Sequence, residues 1–129
     1  MDGKTVVRTE RAPAPFQGAP YSQAIKAGGF VFVSGQLALA PGASEMAGST
    51  IGEQTEQVFD NLEAILAEAG SGLDRIVKTT VFLTDLDAFQ GMNEVYARRV
   101  GESPPARATV EVSALPSGAL VEIEAIAEA

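Results

Sequence analysis

Two stretches of this chain carry apolar residues at helical spacing along one side only, and that pattern limits the fold more than any other feature. In the first, Val58, Phe59, Leu62, Ile65, Leu66 and Ala69 recur at i, i+3, i+4 intervals, the period of a helix with one buried stripe. Thr50-Ile51-Gly52-Glu53 fits a capping box at its start, and Gly70 suits the C′ position at its end. In the second, running from about Leu86 to Val100, the stripe is Phe89, Met92, Tyr96 and Val100. Asp87 is placed as N-cap with Gln90 three residues later, and Gly101 ends the helix. Each stripe must lie against something, and between the helices Arg75–Leu83 (RIVKTTVFL) is β-branched and reads as a strand.

The remaining elements follow the same logic. Ser22–Ala27 and Phe30–Ser34 form a hairpin joined by Gly28-Gly29, and Thr5–Glu10 reads as a further short strand. The carboxyl end supplies two more strands, roughly Ala106–Val112 and Ala119–Ala127, while 10–20 and 40–49 are loops rich in Pro, Ala and Gly. The order is β-β-β-α-β-α-β-β. The simplest arrangement is α+β, one sheet with two helices packed on one face. At 129 residues, with no linker long enough to divide it, the chain is expected to form a single domain over 1–129.

Alternation in the last two strands separates their faces. Ala106, Ala108, Val110 and Val112 fall on one side, opposite Arg107, Thr109 and Glu111. Val121, Ile123, Ala125 and Ala127 share a side, opposite Leu120, Glu122, Glu124 and Ile126. The apolar sides are expected to meet the helices, which places Arg107 and Glu122 together on the other, mixed face. Either that face is washed by solvent, with ion pairs worth about 0–1 kcal/mol, or other subunits cover it and leave the two residues in a cleft.

Composition narrows the chemistry. Histidine and cysteine are both absent, which removes thiolate nucleophiles, thiolate metal sites and Ser-His-Asp hydrolysis. Acid–base work falls to Glu, Asp, Tyr, Lys, backbone groups or water. The net charge of −8 argues against binding a phosphate backbone, which needs clustered cations. No apolar run approaches the roughly 20 residues of a membrane helix, and MDGKTVVRTERAP has no signal-type apolar region, so a cytoplasmic location is expected. An arginine can hold a carboxylate with two parallel N–H donors, and a partly desolvated glutamate can exchange a proton with water near neutral pH. Together they suit a small α-carboxylate substrate at which water is activated, hydrolysis of an imino acid among them.

The run PPARATVEVSALPSGALVEIEAIA resembles the carboxyl-terminal signature of the RidA/YjgF family of imine deaminases, through Pro105-Ala106-Arg107, Leu115-Pro116 and Val121-Glu122-Ile123. Pro20-Tyr21-Ser22-Gln23-Ala24, Ser34-Gly35-Gln36, Asp60-Asn61-Leu62, the strand Val77–Phe82 and Met92-Asn93-Glu94-Val95-Tyr96 agree, so that the resemblance spans about residues 8 to 127. It implies a chorismate-mutase-like fold, a homotrimer whose sheets form an inner barrel, and active sites between subunits. It implies cofactor-free hydrolysis of 2-imino acids, which arise from 2-aminoacrylate or 2-aminocrotonate, to 2-keto acids and ammonia, as in a 2-iminobutanoate/2-iminopropanoate deaminase. By position, Arg107 would clamp the substrate carboxylate and Glu122 would activate water, with Tyr21, Ser34, Gly35, Asn93 and Thr109 lining the cleft. Glu111 and Glu124 read as surface or interface charge. The chain departs from the family at Gly18-Ala19-Pro20-Tyr21, where relatives commonly have Gly-Pro-Tyr, at Thr109, where some carry Cys, and in loop 40–49. Competing readings are a regulatory module binding a small carboxylate, a pathway-specific aminoacrylate or aminomuconate-type deaminase and, weakest, a ribonuclease or translation inhibitor.

Overall fold

The computed structural model describes residues 3–129. Six strands, β1 (Thr5–Val7), β2 (Ala24–Ala27), β3 (Phe30–Gln36), β4 (Ile76–Leu83), β5 (Ala106–Glu111) and β6 (Val121–Glu128), form one sheet in the order β1-β2-β3-β6-β4-β5. Neighbours are antiparallel except β4 and β5, which run parallel. That parallel pair needs a crossover, and the helix α2 (Phe89–Val100) provides it; the longer α1 (Ile51–Glu68) connects β3 to β4. The α+β architecture, one sheet with two helices, matches the sequence expectation. The first strand is shorter than Thr5–Glu10, and β3 continues through a bulge between Val33 and Gln36.

Local chemistry explains the element ends. Gly28 and Gly29 have φ of 60° and 85°, the left-handed pair that a two-residue hairpin turn demands. At α1 both arms of the capping box are made: the Glu53 N–H donates to Thr50 Oγ1 at 3.1 Å, and Glu53 Oε1 accepts from the Thr50 N–H at 3.2 Å. Gly70 turns out at φ 81° just after it. The second helix starts differently from the expected Asp87 cap. Asp85 is the capping residue, accepting from the Asp87 N–H at 2.9 Å over a short 3-10 turn, Leu86–Ala88, and α2 proper begins at Phe89. Glu111, read from sequence as surface charge, accepts from the Leu86 N–H at 2.9 Å and ties that turn to β5.

Both helices lie on one face of the sheet. Val58, Phe59, Leu62, Ile65 and Leu66 of α1 and Met92 of α2 are fully buried against Val31, Val81, Leu83, Val121, Ile123 and Ala127. Each large side chain there contributes about 1.5–3 kcal/mol by leaving water. A few buried polar side chains stitch α1 to the chain beyond β3. Asn61, 1% exposed, donates from Nδ2 to the carbonyls of Leu37 (3.0 Å) and Leu39 (2.8 Å). Gln54 accepts from the Leu120 N–H and donates to Gly48 O.

Cross-strand register assigns every side chain to a face, because directly opposed residues point the same way. Val81 pairs with Ile123 and Thr79 with Ala125, all on the helix face; Phe82 pairs with Glu122 and Thr80 with Glu124 on the other, open face. The apolar side of β6 therefore meets the helices as expected. For β5 the assignment is reversed. Arg107 pairs with Thr79 and Thr109 with Val81, so they lie on the helix face, while Ala106, Ala108 and Val110 turn outward. Two alanines and a valine give little drive to be buried, and on an edge strand the ring faces of α2 attract the guanidinium more strongly. Arg107 and Glu122 therefore sit on opposite faces of the sheet.

Replacing Asn61 with Leu keeps the branching at Cγ but leaves two buried carbonyls unpaired, and should cost about 2–4 kcal/mol. Thr50→Ala, which removes an exposed cap, should cost about 1 kcal/mol. Urea denaturation midpoints of the two variants check that order; equal midpoints would contradict it.

Candidate active site

The seven residues singled out from sequence divide into two groups. Tyr21, Ser34, Gly35 and Glu122 line one cavity of about 470 Å³ at the β3–β6 junction, walled by Phe16, Leu37 and Pro116. Asn93, Arg107 and Thr109 cluster where α2 crosses β5.

In the first group, the bulge of β3 sets the geometry. A Cβ on Gly35 would lie 2.7 Å from the carboxyl carbon of Glu122, so only glycine lets that carboxylate rest against the strand. Ser34 donates its hydroxyl to Ser22 O at 2.6 Å, which leaves its oxygen free to accept. The Tyr21 hydroxyl accepts the Phe16 N–H at 2.6 Å and keeps its own proton to donate; the ring is 43% exposed over the cavity. Burial, then the like charge of Glu124, pushes the Glu122 carboxyl above its ordinary value. Glu124, taken from sequence as a bystander, lines the same cavity.

The loop carrying Tyr21 is held by Gln23, which sequence reading passed over within its Pro-Tyr-Ser-Gln match. Gln23 is 3% exposed, accepts from the Thr9 N–H at 2.8 Å and donates to the carbonyls of Thr9, Ala12 and Pro13. A buried amide between proline-rich segments is the signal that could have found it. On the far side of the cavity Ser117 is non-glycine at φ 56°, and Gln17 has φ 55° beside Phe16. Each is followed by a glycine, Gly118 and Gly18, also at positive φ, so two left-handed turns bracket the Glu122 pocket.

In the second group, Arg107 Nη1 donates to Asn93 Oδ1 at 2.8 Å, and the guanidinium carbon lies 4.7 Å from the Tyr96 ring centroid and 5.4 Å from that of Phe89. Asn93 is thus the hydrogen-bond partner of Arg107 on α2. Thr109 Oγ1 is buried with no hydrogen-bond partner, two residues along the same strand face as Arg107. Among the described residues no carboxylate pairs with Arg107 and no cation with Glu122. The two groups offer a clamp for an anion and a carboxylate able to carry a proton, but one chain does not bring them together.

Comparison with known proteins bears on what these groups serve. Residues 9–129 match the family described as Endoribonuclease L-PSP, the YjgF/RidA family. The chain belongs to that family. Among YjgF/RidA relatives, it is 53% identical over 124 residues to a RutC family protein of Pyrococcus abyssi, covering 96% of both chains. It is 47% identical over 124 residues to Reactive Intermediate Deaminase A, chloroplastic, of Arabidopsis thaliana, covering 96% of this chain and 65% of that one. Its fold superimposes with a TM-score of 0.89 on E. coli TdcF, solved with bound serine, at 36% identity over 97% of this chain and 98% of that one. No described helix is long and apolar enough to cross a membrane.

The raised Glu122 pKa has a consequence for stability. Folded Glu122 holds its proton to higher pH than it would in the unfolded chain, so its contribution favours folding below the ordinary carboxyl range, about pH 4.3, and is lost as pH rises through the folded value. Glu122→Gln should therefore raise the thermal midpoint at pH 7 and leave it close to wild type near pH 3.5. Midpoints measured at both pH values check this; no gain at pH 7 would contradict it.

Proposed function

We propose that this protein hydrolyses small 2-imino acids to 2-keto acids and ammonia, and that it does so as a homotrimer with each site built from two subunits. The observation that carries the reading is the split between Arg107 with Asn93 on the helix face and Glu122 with Tyr21, Ser34 and Gly35 on the other side of the sheet. Two incomplete halves, each with unpaired chemistry, call for a second copy to join them. The open face supports association: Val6, Phe30, Phe32 and Val110 are 53%, 40%, 44% and 41% exposed, and register places all four there. A soluble chain rarely leaves such a surface uncovered. The trimer and inner barrel are what the family resemblance implies for it, and we infer a cytoplasmic setting.

In the joined site Arg107 of one subunit holds the substrate carboxylate through two N–H donors. The imine carbon lies next to that carboxylate. Glu122 of the adjoining subunit takes a proton from water as the water oxygen bonds to this carbon, and the C=N electron pair moves to nitrogen. The same carboxyl delivers that proton to nitrogen, giving the carbinolamine. It then removes the carbinolamine hydroxyl proton as the C=O bond forms and passes it to nitrogen, so that the C–N bond breaks and keto acid and ammonia leave. A carboxylate with a raised pKa suits both directions of that transfer. Nothing in the sequence of steps asks for a metal or cofactor. The cavity walls of Phe16, Leu37 and Pro116 fit a small apolar substituent such as the methyl or ethyl of 2-iminopropanoate or 2-iminobutanoate. The bound serine of TdcF and the name of the Arabidopsis relative support the substrate class.

A coupled assay tests the reading: an amino-acid oxidase or threonine dehydratase generates the imine, and its disappearance is followed with and without this protein. Purified protein should speed imine loss, and Arg107→Ala should lower kcat/KM by about 30-fold to 1,000-fold, the effect of truncating one side of a buried charged pair. An unchanged rate on adding the protein, or an Arg107→Ala variant as fast as wild type, would refute it.

A further inference from the structure

We infer that Tyr96 is a positioning residue for the substrate clamp: its ring face fixes the plane of the Arg107 guanidinium so that one edge is presented to a carboxylate. The inference rests on the proposed role of Arg107 and extends it to a residue read from sequence as part of the apolar stripe of α2 and given no role in the cleft. The guanidinium carbon stands 4.7 Å from the Tyr96 ring centroid, closer than to Phe89 at 5.4 Å, within the range of cation–π attraction. Phe89 is 37% exposed, whereas Tyr96 is 5% exposed, so Tyr96 supplies the fixed surface.

Tyr96 is itself held from two directions. Its hydroxyl and the Thr79 hydroxyl are hydrogen-bonded at 2.6 Å, and the Phe59 ring meets it edge-on at 5.5 Å with planes 82° apart. Thr79 is the residue directly opposite Arg107 in the β4–β5 pairing, so the platform and the cation are referenced to the same rung of the sheet. Burial raises the phenol above its ordinary value, and the ring stays neutral. Nη1 is committed to Asn93. The Nη2 and Nε edge is then the one left for two parallel hydrogen bonds to a carboxylate, and its usefulness depends on the orientation of the guanidinium plane.

Pyruvate and methyl pyruvate serve as probes, because they differ in the carboxylate that Arg107 would hold. Calorimetric titration of the assembled protein should show Tyr96→Leu binding pyruvate about tenfold more weakly, with methyl pyruvate unaffected. Tyr96→Phe, which keeps the ring but loses its hydroxyl bond to Thr79, should bind pyruvate about threefold more weakly than wild type. Thr79→Val, which removes the same anchor from the other side, should match Tyr96→Phe. In turnover Tyr96→Leu should raise KM with kcat nearly constant. Should Tyr96→Leu fail to fold, Thr79→Val carries the test, and wild-type pyruvate binding by it would overturn the inference. Wild-type pyruvate binding by Tyr96→Leu, or equal loss of both probes, overturns it too. If Arg107→Ala loses pyruvate while Tyr96→Leu does not, only the positioning role fails; if Arg107→Ala binds pyruvate like wild type, the clamp itself fails and the positioning role with it.

Discussion

The burial of β6 is the constraint on which the rest depends. Its Val121, Ile123, Ala125 and Ala127 are 3% exposed or less, and they sit in the middle of the sheet between β3 and β4. A strand locked on one face by its core contacts has no freedom on the other, because a slip of one residue would exchange the two. Glu122 is therefore held at a fixed height on the open face, against Gly35 where β3 bulges. The catalytic carboxylate we propose is placed by apolar side chains that never touch it. Its desolvation costs stability, as is common where a site keeps a charged group in a partly dry setting.

The edge strand β5 works under opposite conditions. It has one hydrogen-bonded neighbour, and its alanines bury little. What fixes it is polar and aromatic: Arg107 against Tyr96 and Asn93, and Glu111 on the Leu86 N–H. The same contacts that orient the strand leave the guanidinium at the rim of the molecule, without a carboxylate among the described residues. In the proposed site the substrate carboxylate takes that place, with Glu122 of an adjoining copy beside it. The separation of clamp and proton carrier onto two faces of one sheet thus couples the proposed chemistry to assembly.

Much of this was legible in the sequence where two signals agreed. The capping box at Thr50, the glycine pair at 28–29 and the stripe of α1 each combined a turn residue with a periodic pattern, and all appear as read. Alternation gave the right side for β6, where the apolar set is large. It failed for β5, because period two separates two faces without saying which is inward, and the deciding contacts come from α2, some fifteen residues earlier in sequence. The cap at Asp85 was missed for a related reason: an unanticipated 3-10 turn sets the helix start later than the acidic residue suggested. The residues that the family resemblance implied fall into two clusters on opposite faces of the sheet, whereas periodicity alone placed Arg107 and Glu122 on one face.

Whether two chains build one site can be asked directly. Arg107→Ala and Glu122→Gln should each keep at most a few per cent of the activity, yet each retains the half that the other lacks. If the two are refolded together at equal ratio and mix at random, three in four trimers contain both chains, and each of those has one intact junction in three; activity should recover to about a quarter of wild type. Recovery to that level supports a shared site. A mixture as inactive as its components, with mixed trimers shown to be present by mass, would contradict it.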